Sequence, residues 1–230
     1  MAGLSLFRRV IRNEDFNRVL GQEPLRARPL GQRVLCKAMW FWPRIEDARG
    51  WAEASTGTQW NPEQYLHSHR TKLVEQILRY TTPDNSLMEL GCNCGSDMAQ
   101  LYDLGYRNLR GVDASGAALD LFEREYPAVF RHGDIQHDLF QRYLMNSGDD
   151  EVDFIYSNGA TIELVHPSFP VVAEICRVAR RGVLLDLSER SQGYPRDYLG
   201  LFRKSGFNLV YSNKPDAPKS KSHIFVLTRQ

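Results

Sequence analysis

The chain has 230 residues, 42% hydrophobic and 25% charged, with 29 Lys and Arg against 28 Asp and Glu. That size and balance fit one soluble globular domain with an added segment. A net charge of +1 argues against a nucleic-acid binder, and no apolar run approaches the roughly 18 residues of a membrane span. Arg8 and Arg9 interrupt the start before an apolar signal region forms, so a cytoplasmic chain is expected, with Cys36, Cys92, Cys94 and Cys176 reduced.

Residues 1–50 hold ten cations against five acids, a surplus of +5, and leave −4 on the remaining 180 residues. Leu4, Phe7, Val10, Ile11, Phe16, Val19 and Leu20 fall near helical spacing, with Arg8, Arg9, Arg12 and Arg18 between them. This predicts a helix packed on the domain, or a basic amphipathic helix in peripheral contact with an anionic membrane. Gly21, Pro24, Pro29 and Gly31 end it. All four Trp then lie within residues 40–60, two of them in Met39-Trp40-Phe41-Trp42-Pro43. Flat rings of this kind form either a core contact or a pocket wall. Residues 1–60 are therefore read as a helical, aromatic extension that could close over a substrate, and 61–230 as the main domain.

Pro62 suits a first helical turn, so residues 62–80 are predicted as a helix. From residue 86 strands and helices alternate. Strands are expected at 86–90, 109–113, 128–132, 152–157, 182–187, 207–212 and 223–228. Helices are expected at 96–104, 117–126, 169–180 and 196–205. This order predicts an α/β fold: a doubly wound, mostly parallel seven-stranded sheet with helices on both faces. The last two strands have no helix between them, so they should pair antiparallel.

The strongest chemical signal is Met88-Glu89-Leu90-Gly91-Cys92-Asn93-Cys94-Gly95-Ser96, a Gly-rich turn between strand and helix. Such a turn lets a ligand approach backbone, and the helix N-terminus favours negative charge. Asp113 closes the second strand, 22 residues past Gly91, where a carboxylate can accept from both ribose hydroxyls. A nucleoside site at the carboxyl ends of the strands follows. A dinucleotide fingerprint needs Gly at 93 and 96, where this chain has Asn93 and Ser96, so NAD is disfavoured.

In order along the chain, Glu89-x-Gly91-x-Asn93-x-Gly95, Asp113, Gly133-Asp134-Ile135 and Asp153-Phe-Ile-Tyr-Ser157-Asn158-Gly159 resemble the four landmarks of class I S-adenosylmethionine-dependent methyltransferases. The likeness covers roughly residues 60–230, with Asn93 in place of the middle glycine, and lies nearer the metabolite and sugar branch. It implies the strand order 3-2-1-4-5-7-6 and S-adenosylmethionine as cofactor. It further implies that Gly91, Cys92, Asn93 and Gly95 pass under the methionine part, braced by Glu89. Asp113, with Ala114 beside it, would hold the ribose. Asp134 would accept from the adenine amine while Ile135 packs on its ring, and Ser157 and Asn158 would line the methyl end.

Residues beyond the fourth strand should overhang the methyl group. His166 is the best candidate base for a hydroxyl acceptor, with Glu163 second. His166 capping the next helix is the competing reading. The motifs of adenine-amino and cytosine-C5 methylation are absent, which leaves a small molecule or glycan as acceptor. A non-catalytic partner of the same fold is the alternative function. Cys92-x-Cys94 is too close for a zinc pair, usually spaced by about two to four residues, and His132, Asp134, His137 and Asp138 read as a polar loop; no metal is expected.

Overall fold

The structure is a computed structural model that describes residues 61–66, 72–158, 162, 165, 169–187, 197–213 and 223–229. Elements are numbered within those residues. The predicted extension over residues 1–60 lies outside them.

Asn61 opens a 3-10 turn, Pro62–Tyr65, by accepting from the Glu63 N–H at 3.1 Å. Helix α1 is Lys72–Tyr80, which buries Leu73, Val74 and Ile77. The helix expected over 62–80 is thus a 3-10 turn and an α-helix, with residues 67–71 outside the description. The rest follows as β1 Leu87–Leu90, α2 Ser96–Asp103, β2 Leu109–Asp113, α3 Gly116–Glu125 and α4 Pro127–His132. After these come β3 Asp134–His137, α5 Phe140–Asn146, β4 Val152–Asn158, α6 Val171–Val178 and β5 Ala179–Leu187. The last elements are α7 Tyr198–Lys204, β6 Phe207–Ser212 and β7 His223–Arg229.

The seven strands form one sheet in the order β3-β2-β1-β4-β5-β7-β6. All pairs are parallel except β5 with β7 and β6 with β7. Alternate side chains feed two apolar layers. Met88, Leu90, Ile155, Val183 and Leu185 pack with α5, α6 and α7. Leu87, Phe154, Tyr156 and Leu184 pack on the other face with α1, α2, α3 and α4. Each fully buried Leu or Phe contributes about 1.5–3 kcal/mol, so these layers hold the strand ends in fixed relation.

The structure corrects the third strand. Residues 128–132 belong to α4, and β3 follows one turn later. Pro127 occupies the first turn of α4, where its missing N–H costs nothing, and Val129 is the one buried residue of that helix. β3 is a short, exposed edge strand, so its sequence, Asp-Ile-Gln-His, lacks an apolar run. β5 also begins earlier than expected and includes Arg180 and Arg181.

Those arginines belong to a latch at the amino-terminal edge of the sheet. Asp153 accepts from the Ser86 N–H at 3.0 Å and lies 3.3 Å from Arg180 and 3.4 Å from Arg181. Arg110 pairs with Glu151, Arg177 with Asp149 at 2.8 Å, and Arg229 with Asp150 at 2.6 Å. Arg177 also donates to the carbonyls of Leu144 and Ser147, which ties α5 to α6. Burial opposes ionisation of Asp153. The Ser86 N–H, the Asn85 amide and Arg181 outweigh it and hold the carboxyl below its usual value.

Candidate functional site

The opposite, carboxyl-terminal edge is built around the turn from β1 into α2. Gly91, Asn93 and Gly95 take positive φ values of 76°, 49° and 73°. Glycine adopts these freely, and asparagine is the side chain best suited to replace it there, which is why Asn93 keeps the turn. The Gly91 and Cys92 N–H groups donate to Val112 O at 2.9 and 3.1 Å, pinning the turn to β2. At Gly95 a Cβ would lie 2.2 Å from the Phe122 ring, so the turn rests directly on α3. Leu66 packs with Cys94 and Leu121, and Tyr126 donates its hydroxyl proton to Leu66 O.

Asp113, the last residue of β2, clamps this turn. Its Oδ2 accepts from the Asn93 N–H at 2.8 Å and its Oδ1 from the Ser115 N–H at 2.8 Å. Burial raises its pKa above the ordinary value, and the two N–H groups counteract that. Each oxygen retains a further lone pair for a ligand donor.

Below the turn three acids converge. Glu89 is 3% exposed and Asp97, in the first turn of α2, is 6% exposed. Tyr156 donates to Glu89 Oε2 at 3.0 Å, across the β1–β4 pair. Asn158 Nδ2 donates to Asp97 Oδ2 at 2.6 Å. Burial first, then the charges of Asp97 and Asp113, push the Glu89 carboxyl well above its usual range. Ser157 donates to Leu90 O at 2.8 Å, joining β4 to β1.

Glu89, Gly91, Cys92, Asn93, Gly95, Asp113, Ala114, Ser157 and Asn158 therefore share one edge of the sheet. Asp134 and Ile135 do not. Asp134 pairs in register with Arg110, whereas Asp113 pairs with His137. Three residues of strand, about 10 Å, separate Asp134 from the site edge. Asp134 instead accepts from Gln136 at 2.6 Å and Tyr143 at 3.4 Å, and Ile135 packs against the core with α4. The carboxyl end of β3 carries His137, 3.2 Å from Ala114 O, and then Asp138, whose N–H donates to Asp113 O at 3.1 Å. His166 and Glu163 lie outside the described residues.

The residues that sequence reading missed are Asp97, Tyr156 and the position of Asp138. Burial pushes the Cys92 thiol well up and that of Cys94 to about 11, so both stay protonated at neutral pH. Among the described residues no group of three His, Cys, Asp or Glu is placed to hold a metal ion, and no helix is long and apolar enough to cross a membrane.

No family model matches the chain, and no curated protein matches it in sequence. Solved structures do match in shape. Magnesium protoporphyrin IX methyltransferase from Synechocystis PCC 6803, with bound S-adenosylmethionine, is 14% identical with a TM-score of 0.59, covering 82% of this chain and 100% of that one. A TehB-like methyltransferase from Corynebacterium glutamicum is 15% identical, TM-score 0.58, over 80% and 98% of the two chains. This chain has the class I methyltransferase fold. A third protein of that fold, the 1,6-didemethyltoxoflavin-N1-methyltransferase of Burkholderia thailandensis, is 14% identical, TM-score 0.57, over 82% and 93%. The class I methyltransferase fold accounts for the strand order and the antiparallel β7.

Proposed function

We propose that the chain is an S-adenosylmethionine-dependent methyltransferase acting on a small or medium acceptor, with a hydroxyl of a sugar, glycan or other metabolite as the methylated group. The observation that carries this reading is the Asp113 clamp on the left-handed turn at the carboxyl edge. A ribose fits there because Asp113 retains lone pairs for two hydroxyl donors while its bonds to Asn93 and Ser115 hold it still. The Asn93 Oδ1 is buried with no hydrogen-bond partner among the described residues, an acceptor that a ligand donor would satisfy.

In this reading residues 91–95 pass under the methionine part of the cofactor. Asp138, rather than Asp134, stands at the end of β3 where an adenine amine would be met. The cofactor supplies an electrophilic sulfonium methyl group. The chain orients that group against the acceptor, an effect that by itself can account for several powers of ten in rate. His166, with Glu163 second, is proposed to take the proton from the acceptor hydroxyl oxygen. Several proteins of similar structure are named for small organic compounds: magnesium protoporphyrin IX, 1,6-didemethyltoxoflavin and geranyl diphosphate. These support an acceptor of similar size. An NAD-dependent reading is opposed by Asn93 and Ser96, which stand where a dinucleotide turn requires glycine.

The test is release of S-adenosylhomocysteine across a panel of sugars, nucleotide sugars, phenols and amines, with the full chain and its His166→Ala variant. Turnover with a hydroxyl acceptor that falls about 100-fold in the variant is expected. Turnover confined to the amines would refute the hydroxyl assignment.

A further inference from the structure

Asn158 ends β4 at the edge where the proposed acceptor would sit, and its side-chain amide has two chemically different ends. The Nδ2 end donates to Asp97 Oδ2 at 2.6 Å, a bond that joins positions 61 residues apart. Asp97 is 6% exposed and fixed in the first turn of α2. A carboxylate only accepts, so it holds the N–H end of the amide and not the carbonyl end. Beside it, burial and the nearness of Asp97 raise the Glu89 carboxyl well above its usual range. The amide is planar. With Nδ2 on Asp97, Oδ1 is the end of the amide that α2 does not hold.

We propose that Asp97 is a positioning residue that orients Asn158 so that its Oδ1 stands at the methyl-transfer locus as a hydrogen-bond acceptor. The inference rests on the methyl-transfer reading and adds a positioning residue to it. The molecule to be methylated carries hydrogen on the attacked atom, as a hydroxyl or an amine does and a thioether does not. Asp97 exerts this through Asn158 and does not touch the acceptor itself.

Two ligands separate this from a purely structural role. Sinefungin has an amine-bearing carbon in place of the sulfur of S-adenosylhomocysteine, so it presents an N–H donor near the position of the transferred methyl. S-adenosylhomocysteine presents none there. Dissociation constants for both are measured calorimetrically on the full chain and on Asp97→Leu, which removes the acceptor of Asn158 Nδ2, Asn158→Leu and the double variant, with melting temperatures to confirm folding. Each single substitution is expected to cut the preference for sinefungin by about tenfold while leaving S-adenosylhomocysteine within about threefold. The double variant should lose no more than either single one, because Asp97 acts through Asn158.

A preference unmoved in either single variant overturns the proposal. So do losses that multiply in the double variant, which would mean that Asp97 acts directly on the charge of the amine. Should Asp97→Leu fail to fold, Asp97→Ala is measured in its place, since it too removes the acceptor of Asn158 Nδ2. If the unmodified chain binds neither ligand, the methyl-transfer reading fails and the proposal falls with it. That result is distinct from an unmoved preference in a chain that binds both.

Discussion

At the amino-terminal edge of the sheet, Asp149, Asp150, Glu151 and Asp153 each meet an arginine. At the carboxyl edge, Glu89, Asp97 and Asp113 crowd one another, and Tyr156, Asn158 and the N–H groups of Asn93 and Ser115 donate to them. The pKa directions follow. Asp153 is held down, whereas Glu89 and Asp113 are pushed up. One residue type therefore does two jobs. Below the sheet acids latch loops and contribute stability; above it they are held in an environment that disfavours their charge and that a donor-rich ligand would relieve.

Four substitutions test this contrast. Gly95→Ala combines a positive φ with a Cβ 2.2 Å from the Phe122 ring. It should cost about 3 kcal/mol, a fall of roughly 6–12 °C in melting temperature, and should weaken ligand binding as well. Asp153→Ala strips the latch of its acceptor for Ser86, Asn85, Arg180 and Arg181. About 2 kcal/mol should be lost in denaturant titration, with ligand affinity unchanged. If that variant weakened the ligand, the two edges would not be separate in function.

Glu89→Gln is smaller and depends on pH. A carboxyl held above its unfolded value keeps its proton in the folded chain after the unfolded chain has lost it. Its contribution to stability is complete below the ordinary value of 4.5 and is lost as pH rises through the folded value. The parent protein should therefore lose stability between pH 4.5 and the folded value, by at most about 1.4 kcal/mol per pH unit for one proton, and the variant should show a flatter profile. Asp153, held below its ordinary value, has the opposite sign: its contribution is present above 3.8 and is lost as pH falls through the lower folded value. The smallest effect belongs to Arg124→Ala. Its pair with Glu125 is exposed, so less than about 0.5 kcal/mol should change.

Much of the fold was legible because β1, β4 and the second half of β5 are buried on both faces and so read as largely apolar runs. β3 escaped because an edge strand can be polar, while Ala128, Val129 and Phe130 mimic a strand inside α4. That shift of one element put Asp134, which opens β3, in the place that Asp138 takes just past its end. Gly91, Gly95 and Asp113 were legible because their turn demands those residue types locally. Asp97 was not, since an acid in the first turn of a helix is ordinary. Only the fold brings it to Asn158.

A nucleoside cofactor is the ligand proposed for the carboxyl edge. Calorimetric titration of the full chain with S-adenosylhomocysteine, beside its Asp113→Ala variant and with NAD as a control, tests it most directly. The prediction is saturable one-to-one binding, weakened by about tenfold or more in the variant, and no binding of NAD. No saturable heat with S-adenosylhomocysteine, or binding of NAD in its place, would contradict it.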